Sequence, residues 1–297
     1  MSRKTKPDIK SLGWTENCIF CGNPADSEED AHPKWLMEWL KKNMYIDPND
    51  PHPQRLPILE RQVTVGGGVQ AYEYKGEFKV GVMCVCEKCN NGWMSLIQRD
   101  HGQRVLTRLL EEPYPMLETA DCRSLALWGV MTSMVLDALN NGPKYRQFAE
   151  VERCVFWKTG GIPDNIFIWI GPWLNSPGPS YVTHLLTGEN GCLNGIVCTF
   201  GFGTVAMQVV KIIAGPLPTP RPGPWDEALL QVYPVVGCPI TYPPHQAIND
   251  DDGIELLELR FSPPGADSGR AAADEALKRS TALRRNSRPR PGQSPPA

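Results

Sequence analysis

Cys18-Ile19-Phe20-Cys21 and Cys86-Glu87-Lys88-Cys89 decide how the first third of this chain is read. A C-x2-C pair bends the backbone so that two thiolates converge, and two such pairs complete a closed tetrahedral site of four sulfurs. The spacing predicts a structural zinc ion held by Cys18, Cys21, Cys86 and Cys89. Zinc supplies roughly 10–16 kcal/mol to folding in peptide-sized sites, enough to join two segments so far apart in sequence. Cys84 competes for the third position, but the two-residue spacer to Cys89 favours Cys86. Cys122, Cys154, Cys192, Cys198 and Cys238 show no ligand spacing and are read as core residues.

Working outward, 297 residues of which 41% are hydrophobic and 21% charged suit a soluble globular protein of one large or two ordinary domains. The net charge of −3 argues against a protein that coats nucleic acid through bulk charge. Lys34, Lys41, Lys42, Arg99, Arg104 and Arg108 lie near the motifs, either as solvated helix faces or as a local basic face. The N-terminus, Met1-Ser2-Arg3-Lys4, leads into no apolar signal segment, so the paired cysteines read as metal ligands and a cytoplasmic location is expected. The most apolar run, Ser124 to Leu136, is shorter than the roughly 20 residues a bilayer needs, and no membrane association is expected.

Along the chain, a polar leader of about 16 residues precedes the first knuckle. Pro33 then opens a helix with Trp35, Leu36, Trp39 and Leu40 on one stripe. A proline-rich loop at Asp47–Pro57 follows, then three strands at Arg61–Val65, Val69–Tyr74 and Glu77–Met83, the last leading into the second knuckle. A helix is expected from about Gly92 to Leu110, and a strongly apolar one from Ala120 to Asn140, stopped by Asn141-Gly142-Pro143. From Val151 to Phe261 the pattern turns to short β-like runs: Cys154–Lys158, Ile166–Ile170, Tyr181–Leu186, Gly195–Phe200, Val205–Ile213 and Ile254–Leu259. The expected fold class is α+β. It comprises a zinc-clipped module at 1–112, a helical connector at 113–150, a mostly β domain at 151–262 and a disordered tail at 263–297.

Glu29-Asp30-Ala31-His32-Pro33-Lys34-Trp35-Leu36 lies between the knuckles, and Asn90-Asn91-Gly92-Trp93-Met94-Ser95 follows the second directly. With the knuckles, these residues resemble the HNH nuclease family in its zinc-knuckle bacterial members. That family's pattern runs C-x-x-C-G, then E-H-[apolar]-x-P-x-W-L, then C-x-x-C-N-N-G-W-M-S. The resemblance covers the N-terminal ~110 residues and implies a ββα-metal fold, with one divalent ion, Mg²⁺ or Mn²⁺, binding the scissile phosphate while a histidine activates water. Where the family places its general-base histidine, this chain has Asp30.

The nearby imidazole is His32, which can share a face with Asp30 in an extended strand and serve as base, or can cap the helix that Pro33 starts. By the same resemblance Asn90 fixes the hairpin or orients the base, Asn91 being the next candidate and helix capping the other reading of both. Glu29 and Asp30 are candidate ligands of the catalytic ion, completed by Asp100 or His101, with Gln98 a weaker ligand. The tryptophans at 14, 35, 39 and 93 read as core rather than base-stacking platforms. His52, His184 and His245 have no partner spacing and are assigned no role.

The function expected from this resemblance is a metal-dependent endonuclease that hydrolyses nucleic acid, DNA being the expected substrate. The alternative is a catalytically degenerate module that binds nucleic acid or a protein partner without cutting, motivated by Asp30. A third reading makes the zinc fold a structural cap for an activity in residues 151–262.

Overall fold

A computed structural model describes residues 15–30, 32–43, 58–64, 68–74, 81–140, 146–173, 180–187, 193–215, 217, 225–244 and 247–248. Most of the polar leader with Trp14, the proline-rich loop with His52, Cys192, His245, the strand expected at Ile254–Leu259 and the tail lie outside these residues.

β1 (Ser27–Asp30) is four polar residues with no apolar alternation to announce it, and the sequence reading missed it. α1 (Lys34–Asn43) follows, its first turn closed by the Leu36 and Met37 N–H groups on the Pro33 carbonyl at 3.0 and 3.1 Å. Leu36 and Leu40 are fully buried and Trp35 and Trp39 half-buried, so the expected stripe is the one that packs. β2 (Ile58–Thr64) and β3 (Gly68–Tyr74) pair antiparallel. β4 (Gly81–Val85) returns to β1, with Glu28 opposite Met83, Glu29 opposite Val82 and Asp30 opposite Gly81.

The helix expected at Gly92–Leu110 is instead a longer, uneven run. α2 (Glu87–Cys89) passes into π-helical stretches at Asn90–Met94 and Ile97–Gln103 and ends in α3 (Arg104–Glu111). The chain kinks at Gly92, whose ψ is −113°. Gly102 is where this run meets the apolar helix: a Cβ there would lie 2.4 Å from Trp128 Cδ1, so only glycine allows so close a crossing.

β5 (Met116–Leu117) precedes α4 (Thr119–Asn140), the strongly apolar helix. α4 matches the helix expected at Ala120–Asn140; it is long and apolar enough to cross a membrane, yet 89% of its most apolar 18-residue window is buried within the protein's own core. α5 (Glu150–Thr159) corrects the strand expected at Cys154–Lys158. The β-forming types Cys154-Val155-Phe156-Trp157 are overruled by the ends of the segment. Glu152 accepts the Ala149 N–H at 2.6 Å, and Gly160 closes the helix at φ 64° with its N–H on the Phe156 carbonyl.

β6 (Ile166–Pro172), β7 (Ser180–Thr187), β8 (Leu193–Phe202), β9 (Val205–Ile212), α6 (Trp225–Ala228), β10 (Leu230–Tyr233) and β11 (Ile240–Thr241) complete the described elements. Seven strands form one sheet in the order β10-β6-β9-β8-β7-β2-β3, antiparallel except where β2 runs parallel to β7. This sheet takes strands from both sides of residues 113–150. α4 lies on one face, with Gly129 against Met207, Val209 and Ile168. The opposite face carries a second cluster of Trp169, Val197, Val210 and Leu229. Covering both faces explains why every residue of β9 is buried and why its sequence shows no polar alternation. The fold is thus mixed helix and sheet, as expected.

Candidate metal centre and the β1–helix seam

The sulfurs of Cys18, Cys21, Cys86 and Cys89 all lie within 4.8 Å of one another, with Cys21 and Cys86 at 3.5 Å. A tetrahedral ion with Zn–S bonds of about 2.3 Å sets its sulfurs roughly 3.8 Å apart, so the cluster can hold a metal such as zinc. Backbone hydrogen bonds shape it: the Gly22 N–H reaches the Cys18 carbonyl at 3.0 Å and the Asn90 N–H the Cys86 carbonyl at 2.9 Å. Gly22 turns at φ 75°, a conformation a side chain resists. The Ile19 N–H donates to the Cys84 carbonyl at 2.9 Å, stitching the first knuckle to β4. Cys84 itself is buried outside the cluster, with its thiol pushed up first by burial and then by the charge of Glu29.

Two further groups brace the centre. Buried Arg153 of α5 donates from Nε to the Ile19 carbonyl at 2.8 Å and from Nη1 to the Phe148 carbonyl. Trp93 stands edge-on to Phe20 at 4.8 Å and to Phe156 at 5.8 Å. Burial pushes the Cys89 thiol up, and the buried Nε1 of Trp93 beside it opposes part of that rise. Burial pushes the Cys86 thiol up, but the Cys89 N–H and the neighbouring thiols outweigh it and hold Cys86 below its ordinary value.

Beside the sulfurs, β1 and β4 form an antiparallel pair against which the 87–111 helical run begins. Asn90 joins them: its Nδ2 donates to the Glu28 carbonyl and to Ser27 Oγ, each at 2.9 Å. The Glu87 N–H donates to Asp26 Oδ1 at 2.7 Å. Asn91, the alternative to Asn90, is exposed.

Farther along, Gln98 Nε2 donates to Glu29 Oε1 at 3.3 Å, and Gln98 Oε1 accepts from Trp128 Nε1 at 2.8 Å. An indole nitrogen only donates, so Trp128 fixes the amide with its NH₂ toward Glu29. Burial holds the Glu29 carboxyl up at about 7; Gln98 pulls it down, and the Asp30 charge adds to the rise. Glu29 and Asp30 are consecutive residues at the end of β1, where successive side chains project to opposite faces.

The remaining expected site residues go elsewhere. β1 ends at Asp30, so His32 is not on an extended strand. It lies buried just before α1, and burial lowers its imidazole to about 4. Asp100 is exposed and held below the usual carboxylate range by Arg99, with contacts of 2.6 and 3.0 Å. His101 Nδ1 is 3.0 Å from Ser124 Oγ. Among the described residues the four cysteines gather as a metal-ready group of three or more, whereas Glu29, Asp30, Asp100 and His101 do not. Among the described residues, no third carboxylate or imidazole joins Glu29 and Asp30 to complete a set of protein ligands for the expected Mg²⁺ or Mn²⁺ ion. Gln98 and Trp128 are the contacts sequence reasoning underweighted. The seven residues from Ile97 to Gln103 form a π-helical stretch, and a spacing count based on a regular helix misplaces the side chains along it.

No family model, no curated protein and no solved structure matches the chain.

Proposed function

We propose that residues 15–111 form a zinc-clipped, HNH-like ββα module that binds nucleic acid without cutting it. The observation that carries this reading is a contrast between frame and chemistry. For the frame, four sulfurs converge, β1 and β4 pair, and Asn90 ties the following helix to β1. The chemistry is dispersed, with His32 buried, Asp100 occupied by Arg99, His101 beside Ser124 and the Gln98 amide fixed by Trp128. Lys34 and Arg99 have well-exposed side chains ion-paired with Glu38 and Asp100, and a nucleic-acid phosphate would compete with those carboxylates for them.

One observation favours the second reading, a metal-dependent endonuclease. Glu29 and Asp30 are consecutive carboxylate residues at the end of β1, and one of them is held near neutrality by burial. In that reading Asp30 replaces His32 as the base and Glu29 holds the ion.

A single pair of measurements on zinc-loaded full-length protein separates the readings: anisotropy of a labelled DNA duplex across a salt series, and nicking of supercoiled plasmid with Mg²⁺, Mn²⁺ or neither. Binding that weakens with salt, without nicking, is expected. Metal-dependent nicking abolished by both Glu29→Gln and Asp30→Asn establishes the endonuclease. Neither binding nor nicking, with RNA and single-stranded DNA also tried, removes nucleic acid as the partner.

A further inference from the structure

Outside the metal centre, two thiols with no role in it meet across the fold. Cys122 Sγ, in the first turn of α4, lies 3.9 Å from Cys238 Sγ, in the turn between β10 and β11. The two are 116 residues apart in sequence, so their meeting is a product of the fold. Their neighbours hold them in register. β5, just before α4, pairs with β11, just after Cys238, with Leu117 opposite Ile240 and Met116 opposite Thr241. The Tyr242 N–H adds a bond to the Pro115 carbonyl at 3.0 Å. Asp121 is pinned by Arg104 at 2.8 Å and Arg108 at 3.0 Å, which fixes the start of α4.

We propose that Cys122 and Cys238 form a reversible disulfide, a modification site separate from the four-sulfur cluster. A disulfide needs sulfurs about 2.05 Å apart. Closing from 3.9 Å requires the sulfurs to approach by about 2 Å.

Reactivity is divided between the two. Cys122 is fully buried, and burial followed by the nearby Cys238 thiol pushes its thiol up to about 12. Cys238 is half-buried and is the one an oxidant reaches first. With hydrogen peroxide as oxidant, the Cys238 thiol loses its proton and the thiolate attacks one peroxide oxygen. The O–O bond breaks, the departing hydroxide takes up that proton as water, and Cys238 becomes a sulfenic acid. Cys122 Sγ then attacks that sulfur, the S–O bond breaks, and the Cys122 proton leaves with the hydroxide as a second water. Two thiols lose two electrons to one peroxide, and a dithiol reverses the change. The product ties the β10–β11 turn to the α4 start.

The test treats zinc-loaded full-length protein with stoichiometric hydrogen peroxide. Remaining thiols are then alkylated under denaturing conditions, and peptides are mapped by mass before and after dithiothreitol. The expected result is a cross-linked peptide pair carrying Cys122 and Cys238, absent after reduction and absent in both Cys122→Ala and Cys238→Ala. Because the wild-type map needs no variant to fold, it decides alone. Both cysteines recovered alkylated, or either one found paired with a different cysteine, overturns the proposal.

Discussion

Glu29 and His32 carry opposite electrostatic loads three residues apart, and each leaves its own mark on stability. The Glu29 carboxyl, ordinarily near 4.5, is held at about 7 in the folded protein. The folded state therefore keeps the proton longer than the unfolded chain, so stability falls as pH rises from 4.5 towards 7. At about 1.4 kcal/mol per pH unit the full loss is about 3 kcal/mol. His32 has the reverse sign: its imidazole drops from 6.5 to about 4, so its stability is present above 6.5 and lost as pH falls to 4. Glu29→Gln is expected to gain on the wild type by about that amount between pH 5 and pH 8, read from urea unfolding at each pH. Parallel profiles for the two proteins would refute a raised Glu29. The cysteine ligands were legible because their spacing alone determines a turn. The role of His32 was not, because it depends on whether residue 32 still belongs to a strand, and β1 stops at Asp30.

At the scale of elements, the crossing of the 87–111 helical run over α4 rests on Gly102. Its missing Cβ is the space Trp128 occupies, and Trp128 in turn fixes Gln98 against Glu29. Gly102→Ala gains helix propensity but forces the two backbones apart or displaces a fully buried indole. A net destabilisation of about 1–3 kcal/mol is expected in denaturant unfolding, together with a changed Trp fluorescence. An unchanged or raised stability would mean that the two helices are not in contact at this point. Elements with strong local signals were readable in advance, notably α1, α4 and β6 to β9. β1 was not, since its polar residues form a strand only because β4 lies alongside. Nor was α5, where a run of β-forming residues yields to the hydrogen bonds at its two ends. The second, buried face of the sheet was equally invisible to alternation, since strands covered on both sides carry no polar face.

Across the whole molecule, the chain between the two knuckles is divided: β1 and β4 pair beside the sulfurs, and β2 and β3 do not pair with them. The latter two join the large sheet, where Arg61 of β2 pairs with Ala71 on one side and Val182 on the other. Sequence-based boundaries follow runs of residues along the chain, whereas this sheet draws on distant segments through β2 and β7, a pairing no local pattern encodes. The topology has a consequence for metal affinity. An ion that closes a loop and a sheet that anchors the same loop are thermodynamically linked, so each strengthens the other by an equal factor. Arg61→Pro, which removes a ladder donor from a strand bonded on both edges, is expected to weaken zinc binding in a chelator competition although no sulfur is touched. Equal affinity in the variant and the wild type would show the two to be uncoupled. Where the linkage holds, the grip on the metal is set as much by β2's place in the sheet as by the sulfurs, and loosening either end of that loop releases the other.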